Sequence, residues 1–260
     1  MVVNGSFTKP SMSAPQFVYR YPPLIQGKFL KRYKRFFADI ELESGEVIVA
    51  HCPNTGPMTG IICDVGMPVM VSKSDNPKRK LAYTWEMVQL GETWIGVNTS
   101  LPNRVIKAML AEQLIPELAG RYDEVRSEVK YGKENKSRID FLLGRADQPS
   151  IYVEVKNTTW AKGSLALFPD TETTRGQKHL QELIDVVPES KAVMLYFINR
   201  GDCDHFVPGD SRDKKYGELF RKAIAAGVGI LPCRFRVSPE GIEYLGIAPW
   251  QPFEADATVA

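Results

Sequence analysis

The sequence predicts an α/β protein in two parts: a small all-β barrel first, then a mixed sheet flanked by helices. Three observations carry this. Between residues 19 and 98, alternating or β-branched runs are broken by turn signals, and no convincing helical periodicity appears. Beyond residue 98, apolar positions recur at helical spacing beside strand-like runs, in the order αβββαβ followed by αβ. The run Lys191–Ile198 is almost unbroken in its apolar character, as expected of a strand covered on both faces. The expected division is a disordered polar tail over 1–18, a barrel over 19–98 and the mixed-sheet domain over 99–260.

Composition narrows the class. The 260 residues are 43% apolar and 25% charged, and 33 basic against 31 acidic residues leave a net charge of +2. Any surface for a polyanion must therefore come from local clustering rather than global charge. Cys52, Cys63, Cys203 and Cys233 are scattered, with no C-x-x-C pair, and a chain of this size needs no disulfide. His51, Cys52 and Cys63 match no usual zinc spacing. The N-terminus has no apolar signal core and no run approaches membrane-spanning length, so a soluble cytoplasmic protein without a membrane partner is expected. P-loop, G-x-S-x-G and dinucleotide fingerprints are absent.

In the first part, Pro22–Phe37 interleaves Lys28, Lys31, Arg32, Lys34 and Arg35 with Phe29, Tyr33, Phe36 and Phe37. Such a strand suits nucleic acid, because phosphates pair with cations and bases stack on rings. It equally suits a solvated edge guarded by lysines. Ala38–Glu43 and Val47–Ala50 form a hairpin about Ser44-Gly45, His51–Gly60 is turn-forming, and Pro68–Ser72 is a strand. Lys78-Arg79-Lys80 makes a second basic cluster, followed by a hairpin of Leu81–Leu90 with Thr93–Val97. Five or so short strands of this kind point to an OB-like barrel.

In the second part, Leu101-Pro102-Asn103 starts a helix whose face carries Val105, Ile106, Met109 and Leu110. Tyr122–Tyr131 is a strand. Ser137–Asn157 then reads as a hairpin about Gly144–Ser150. Alternation puts Ile139, Phe141 and Leu143 on one face of its first strand and Ile151, Val153 and Val155 on one face of the second. Asp140 is left on the opposite side, with Glu154 and Lys156. Two carboxylates and a lysine gathered there are costly unless paired, hydrogen-bonded or holding a metal. Either a solvated ion-pair network or a site answers that description. Thr173 or Thr174 caps a helix with Leu180, Leu183, Ile184 and Val187 inward, which leaves His179 on its exposed side. Asp210 or Ser211 caps another, ended by Gly227.

As a site, this constellation suits a hard divalent cation, Mg²⁺ or Mn²⁺. Asp140 and Glu154 supply carboxylates and the Val155 carbonyl a further oxygen, while Lys156 positions a water or stabilises charge on a phosphodiester. The pattern Asp140…Glu154-x-Lys156 within αβββαβ resembles the PD-(D/E)XK nuclease superfamily, with Ile139 where proline often precedes the aspartate. More closely, the chain resembles the sugar fermentation stimulation protein (SfsA) family over most of its length. His51–Gly56, Asn76–Thr84, Gly96–Arg104, Glu128–Gly132, SRIDFLL, YVEVKN, Ala166–Asp170 and Thr174–Leu180 carry that resemblance. It implies an OB-like domain ahead of a nuclease-like (restriction-endonuclease-like) domain, and binding of nucleic acid, DNA foremost.

The resemblance also brings Gln177 to the site, since a glutamine at this place touches the site in several nuclease relatives. Glu128, on the polar face of its strand with Lys130, is a candidate to complete the acidic cluster, and Asp170 is another. A homodimer is compatible with cutting both strands. Two functional readings follow: a metal-dependent nuclease, or a non-catalytic DNA-binding regulator of sugar-utilisation genes that keeps the fold.

Overall fold

The computed structural model describes residues 16–61, 63–132 and 137–253. Its first strand, β1 (Phe17–Arg20), pairs not with the barrel but with the last strand of the chain, through Phe17↔Glu243 and Arg20↔Gly241. Disorder expected through residue 18 therefore does not hold for Phe17 and Val18, which belong to a strand whose ladder partners lie more than two hundred residues away in sequence. The rest of that expected tail, residues 1–15, lies outside the described residues.

The barrel comprises β2 (Leu24–Tyr33), β3 (Phe37–Leu42), β4 (Val47–His51), β5 (Pro68–Lys73) and β6 (Tyr83–Leu90). β2, β3 and β4 form an antiparallel meander, and β5 lies between β2 and β6. A parallel contact of Ala50 and His51 with Tyr83 and Thr84 closes the barrel, as in an OB fold. Alternation does what the sequence requires. Gly27 and Phe29 point into the core while Lys28 and Lys31 face out. Phe29 stacks on Trp85, ring centres 5.3 Å apart, among Ile40, Ile48, Val69 and Val71. Position 27 must be glycine, because a Cβ there would meet Ile40 Cγ2 at 2.6 Å.

β7 (Thr93–Gly96) leads into the second part, where α1 (Leu101–Ala111) carries Pro in its first turn and buries Val105, Ile106, Met109 and Leu110. There follow β8 (Glu124–Tyr131), β9 (Ser137–Gly144), β10 (Ile151–Thr158), β11 (Trp160–Lys162), β12 (Leu165–Phe168) and α2 (Thr174–Val186). The chain continues through β13 (Lys191–Ile198), β14 (His205–Pro208), α3 (Lys214–Ala226), β15 (Gly229–Val237) and β16 (Gly241–Ile247). The mixed sheet runs β8-β9-β10-β13-β15-β16-β1, with β10, β13 and β15 parallel.

β13 is covered on both faces, as its composition demands. Val193, Leu195 and Phe197 pack in the core with α1, and Met194, Tyr196 and Ile198 in the core with α2 and α3. Two features depart from the sequence reading. β11, β12 and β14 form a small separate sheet that short, mixed-polarity runs did not announce. Asp213, not Asp210 or Ser211, caps α3, accepting from the Tyr216 N–H at 2.9 Å; Gly227 closes that helix in the left-handed conformation.

The two parts are fastened together. β7 extends the barrel sheet and touches β15 at Trp94↔Val237, and the Gly96 N–H donates to the Asn199 carbonyl at 3.0 Å. Arg200, buried, donates to the carbonyls of Gly60 and Thr159 while both its remaining nitrogens grip Asp202. Gly60 lies so close to the second part that a Cβ would stand 2.3 Å from Trp160 Cα and 2.6 Å from the Thr159 carbonyl oxygen. Backbone atoms cannot step aside. Gly60→Ala is therefore expected to destabilise the protein by about 1–3 kcal/mol. Urea unfolding should show a lowered midpoint; an unchanged midpoint would remove the junction's claim to tight packing.

Candidate functional site

Asp140 sits where β9 parts from β10. Their ladder ends at Phe141↔Val153, and the next β10 donor, the Val155 N–H, turns instead to Asp140 Oδ2 at 2.7 Å. Asn103, in the first turn of α1, donates to the other oxygen at 2.8 Å. The strand breaks its alternation here. Ile139 packs with α2 and α3, whereas Phe141 and Leu143 pack with α1, which corrects the expectation that all three share a face. Opposite Asp140 on β8, Glu128 has a positive φ of 56°, so both strands are distorted at this level. Local carboxylate-to-backbone bonding has displaced regular pairing.

β10 keeps its alternation. Val153 and Val155 enter the α1 core, and Glu154 faces α2 with 2% of its surface exposed. Lys156 Nζ lies 2.6 Å from Glu154 Oε1, and His179 of α2 hydrogen-bonds the same oxygen through Nδ1. His179 is thus buried at the site rather than on the exposed side of its helix. The sequence held a signal for this: His179 lies four residues before Leu183, on the flank of the apolar stripe. Arg175 Nε points at His179 Nε2 at 3.4 Å. Glu154, held ionised, only accepts, so the Nδ1 in contact with it donates, and Lys156 Nζ lies 2.9 Å from that same nitrogen.

The two carboxyls are driven apart electrostatically. Burial, then the neighbouring Glu154, pushes Asp140 up to about 6 despite the opposing Val155 and Asn103 donors and the Lys156 charge. Burial also pushes Glu154 upward, but Lys156 and His179 together outweigh it and hold that carboxyl below its ordinary range. Glu154 Oε2 is buried without a hydrogen-bond partner. A bare carboxylate oxygen next to a second carboxylate is where a hard cation fits. Val155, whose N–H faces Asp140, presents its carbonyl on the same strand edge. Among the described residues no group of three His, Cys, Asp or Glu side chains gathers for a metal. The available donors are therefore two carboxylates and a carbonyl, with water for the rest, a set Mg²⁺ tolerates.

Other candidates fall elsewhere. The Gln177 amide, carried to the site by resemblance, binds both oxygens of Asp213 at 3.0 Å. Asp213 also accepts from the Thr173 N–H, so this pair fixes the start of α2 against α3 and with it the phase that aims His179. Glu128 is exposed on β8 and makes no described bond to the cluster. Asp170 belongs to the junction, where it accepts from the Thr59 backbone and burial raises its pKa. It borders a cavity of about 100 Å³ with Asn54, Thr99, Asn157 and Trp160.

The basic strand also divides. Arg32 donates to the carbonyls of Asn54 and Gly56, and Arg35 to that of Thr55, so both hold the His51–Gly60 turn. Lys31 pairs with Asp39 at 3.2 Å, and Arg79 donates to Thr84 Oγ1 at 3.0 Å. Lys28, Lys34, Lys78 and Lys80 stand exposed. Asn103 and His179 are the site residues that sequence reasoning did not single out.

A five-stranded OB barrel joined to a mixed-sheet domain with a largely buried Asp–Glu–Lys–His cluster defines the class of protein. Residues 30–97 match the family described as "SfsA N-terminal OB domain", and residues 100–241 match "Sugar fermentation stimulation protein RE domain". The chain belongs to the sugar fermentation stimulation protein family. It is 76% identical over 241 residues to the "Sugar fermentation stimulation protein homolog" of Picosynechococcus sp. (strain ATCC 27264 / PCC 7002 / PR-6), covering 92% of this chain and 95% of that one. The homolog of Synechocystis sp. (strain ATCC 27184 / PCC 6803 / Kazusa) is 67% identical, over 89% of this chain and 98% of the other. Among solved structures, that of Pyrococcus furiosus SfsA in complex with Ca²⁺ superposes with a TM-score of 0.81 at 25% identity, over 91% of this chain and 99% of that one.

A carboxyl with a raised pKa stabilises the fold while protonated, and that contribution is lost as pH rises through its folded value. The metal-free protein should therefore lose stability across a window ending near pH 6, with the Asp140 Cγ resonance titrating there. Asn103→Ala removes a donor that favours the charged form and should move the midpoint higher. A wild-type midpoint near the ordinary aspartate value of about 4 would contradict the burial argument.

Proposed function

We propose that this protein is a divalent-metal-dependent nuclease, with DNA as its substrate class and the cytoplasm as its setting. The observation that carries this is Glu154 Oε2, a buried carboxylate oxygen left bare beside Asp140 while Lys156 stands within 2.6 Å of Oε1. Asp140, Glu154 and the Val155 carbonyl would hold Mg²⁺ or Mn²⁺. The cation, when bound, supplies positive charge to the phosphodiester and acidifies water. The chain's own residues do the remaining work. Asn103 and the Val155 N–H fix the Asp140 carboxyl. Lys156 brings an ammonium to the mouth of the cluster, where it orients the incoming phosphate and offsets charge that grows on it. The Pyrococcus relative was solved in complex with Ca²⁺, also an oxygen-seeking cation, which supports a divalent metal in the reading of this chain.

A specific observation favours the second reading, a DNA-binding regulator that cuts nothing: among the described residues no group of three or more His, Cys, Asp or Glu side chains is placed to hold a metal. The same assay separates the two. Labelled single-stranded, duplex and branched DNA and RNA, given Mg²⁺ or Mn²⁺, should be cut by the wild type. Asp140→Ala and Lys156→Ala should each slow cutting by about 100-fold or more. Binding to every substrate without cleavage, unaltered by either change, would establish the regulator instead. A homodimer would present two such sites to the two strands of a duplex at once.

The exposed lysines Lys28, Lys34, Lys78 and Lys80 form the proposed phosphate footprint, with Arg32 and Arg35 supporting the turn behind it. Replacing Lys78 and Lys80 by Ala should flatten the plot of log affinity against log salt by roughly 0.7–0.9 for each lysine–phosphate pair removed. Arg32→Ala should lower thermal stability and leave that slope alone. An unaltered slope in the double lysine variant would remove this face from the interface.

A further inference from the structure

We infer that His179 is the positioning residue that decides which oxygen of Glu154 faces the metal; this rests on the metal reading above. Three facts converge on it. His179 and Lys156 both engage Oε1, and Oε2 is buried with no partner at all. The ionised Glu154 carboxylate only accepts, so the Nδ1 beside it is a donor and not a ligand in waiting, with Lys156 Nζ 2.9 Å from the same nitrogen and Arg175 Nε on Nε2. The helix that carries the ring cannot easily turn, because Gln177 and the Thr173 N–H both hold Asp213 at the start of α3.

The arrangement is a relay of orientation. Asp213 sets α2, α2 aims His179, and His179 with Lys156 pins Oε1 so that Oε2 is the free oxygen. Outer partners of this kind restrict the rotation of a ligating carboxylate, and losing one costs metal affinity although it touches no metal. Lys156 alone cannot do this, because its flexible stem follows the carboxylate wherever it rotates. The planar ring, held on a rigid helix, can. His179 thus acts on the cation only through Glu154, and it needs no change of its own charge to do so.

The test uses full-length protein and Mn²⁺ alone, with binding read by calorimetry and by the electron spin resonance signal of free Mn²⁺. His179→Leu should weaken Mn²⁺ binding by about 10- to 100-fold. His179→Asn, whose amide nitrogen reaches roughly where Nδ1 stands, should restore most of that affinity, whereas His179→Gln, one carbon longer, should not. Equal binding by the Asn and Gln variants would overturn the inference, even if the Leu variant failed to fold. So would wild-type affinity in a folded Leu variant.

The ring's nitrogen resonances supply a readout that needs no metal: Nδ1 should carry the proton and Nε2 should not. The reverse tautomer would overturn the wiring. Failure of the wild type to bind Mn²⁺ would instead strike the metal reading itself, and this inference with it.

Discussion

Glu154 is a carboxylate with almost none of its surface in water, and the second domain is arranged around making that tolerable. An unpaired charge there would cost several kcal/mol. Lys156 and His179 answer it from two directions, one along the same strand and one from the covering helix. Both act on a single oxygen. The arrangement therefore secures the charge and leaves half of the carboxylate unsatisfied, which a purely structural ion pair has no reason to do.

Asp140 depends on the same charge. Burial first, and then the ionised Glu154 nearby, push its carboxyl towards the neutral form, to a pKa of about 6. Two carboxyls in one small space are thus assigned different protonation states by their surroundings. A divalent cation would reverse that, since both could then ionise, and binding would release a proton below about pH 6. The kink in β9 is part of the same design. A regular ladder would have taken the Val155 N–H, and Asp140 would have been without a donor that favours its charged form.

The barrel contributes by anchoring rather than by chemistry at the cluster. Its turn 51–60 is held by Arg32 and Arg35 from within and is pressed against Trp160, Thr159 and Asp170 from the other side. The guanidinium groups that look like a phosphate surface in sequence are partly spent on backbone carbonyls. What remains for a polyanion is a set of exposed lysines on the barrel, and this is a narrower footprint than the count of basic residues suggests.

Periodicity and turn chemistry by themselves determined the order of the main elements: the five barrel strands, α1 with its apolar face, the hairpin bearing Asp140 and Glu154, and the buried strand Lys191–Ile198. Those are local properties, set by which residues repeat every two or every three to four positions. Only the tertiary structure decided what depends on residues far apart in sequence. Phe17–Arg20 found its ladder on β16, Gln177 was claimed by Asp213 rather than by the cluster, and Asp213 displaced nearer candidates as the cap of α3. The spacing of His179 to Leu183 put it on the flank of the buried stripe, but that it meets Glu154 is set by the phase in which α2 docks on the sheet. Asn103 reached Asp140 for the same reason, from thirty-seven positions away along the chain.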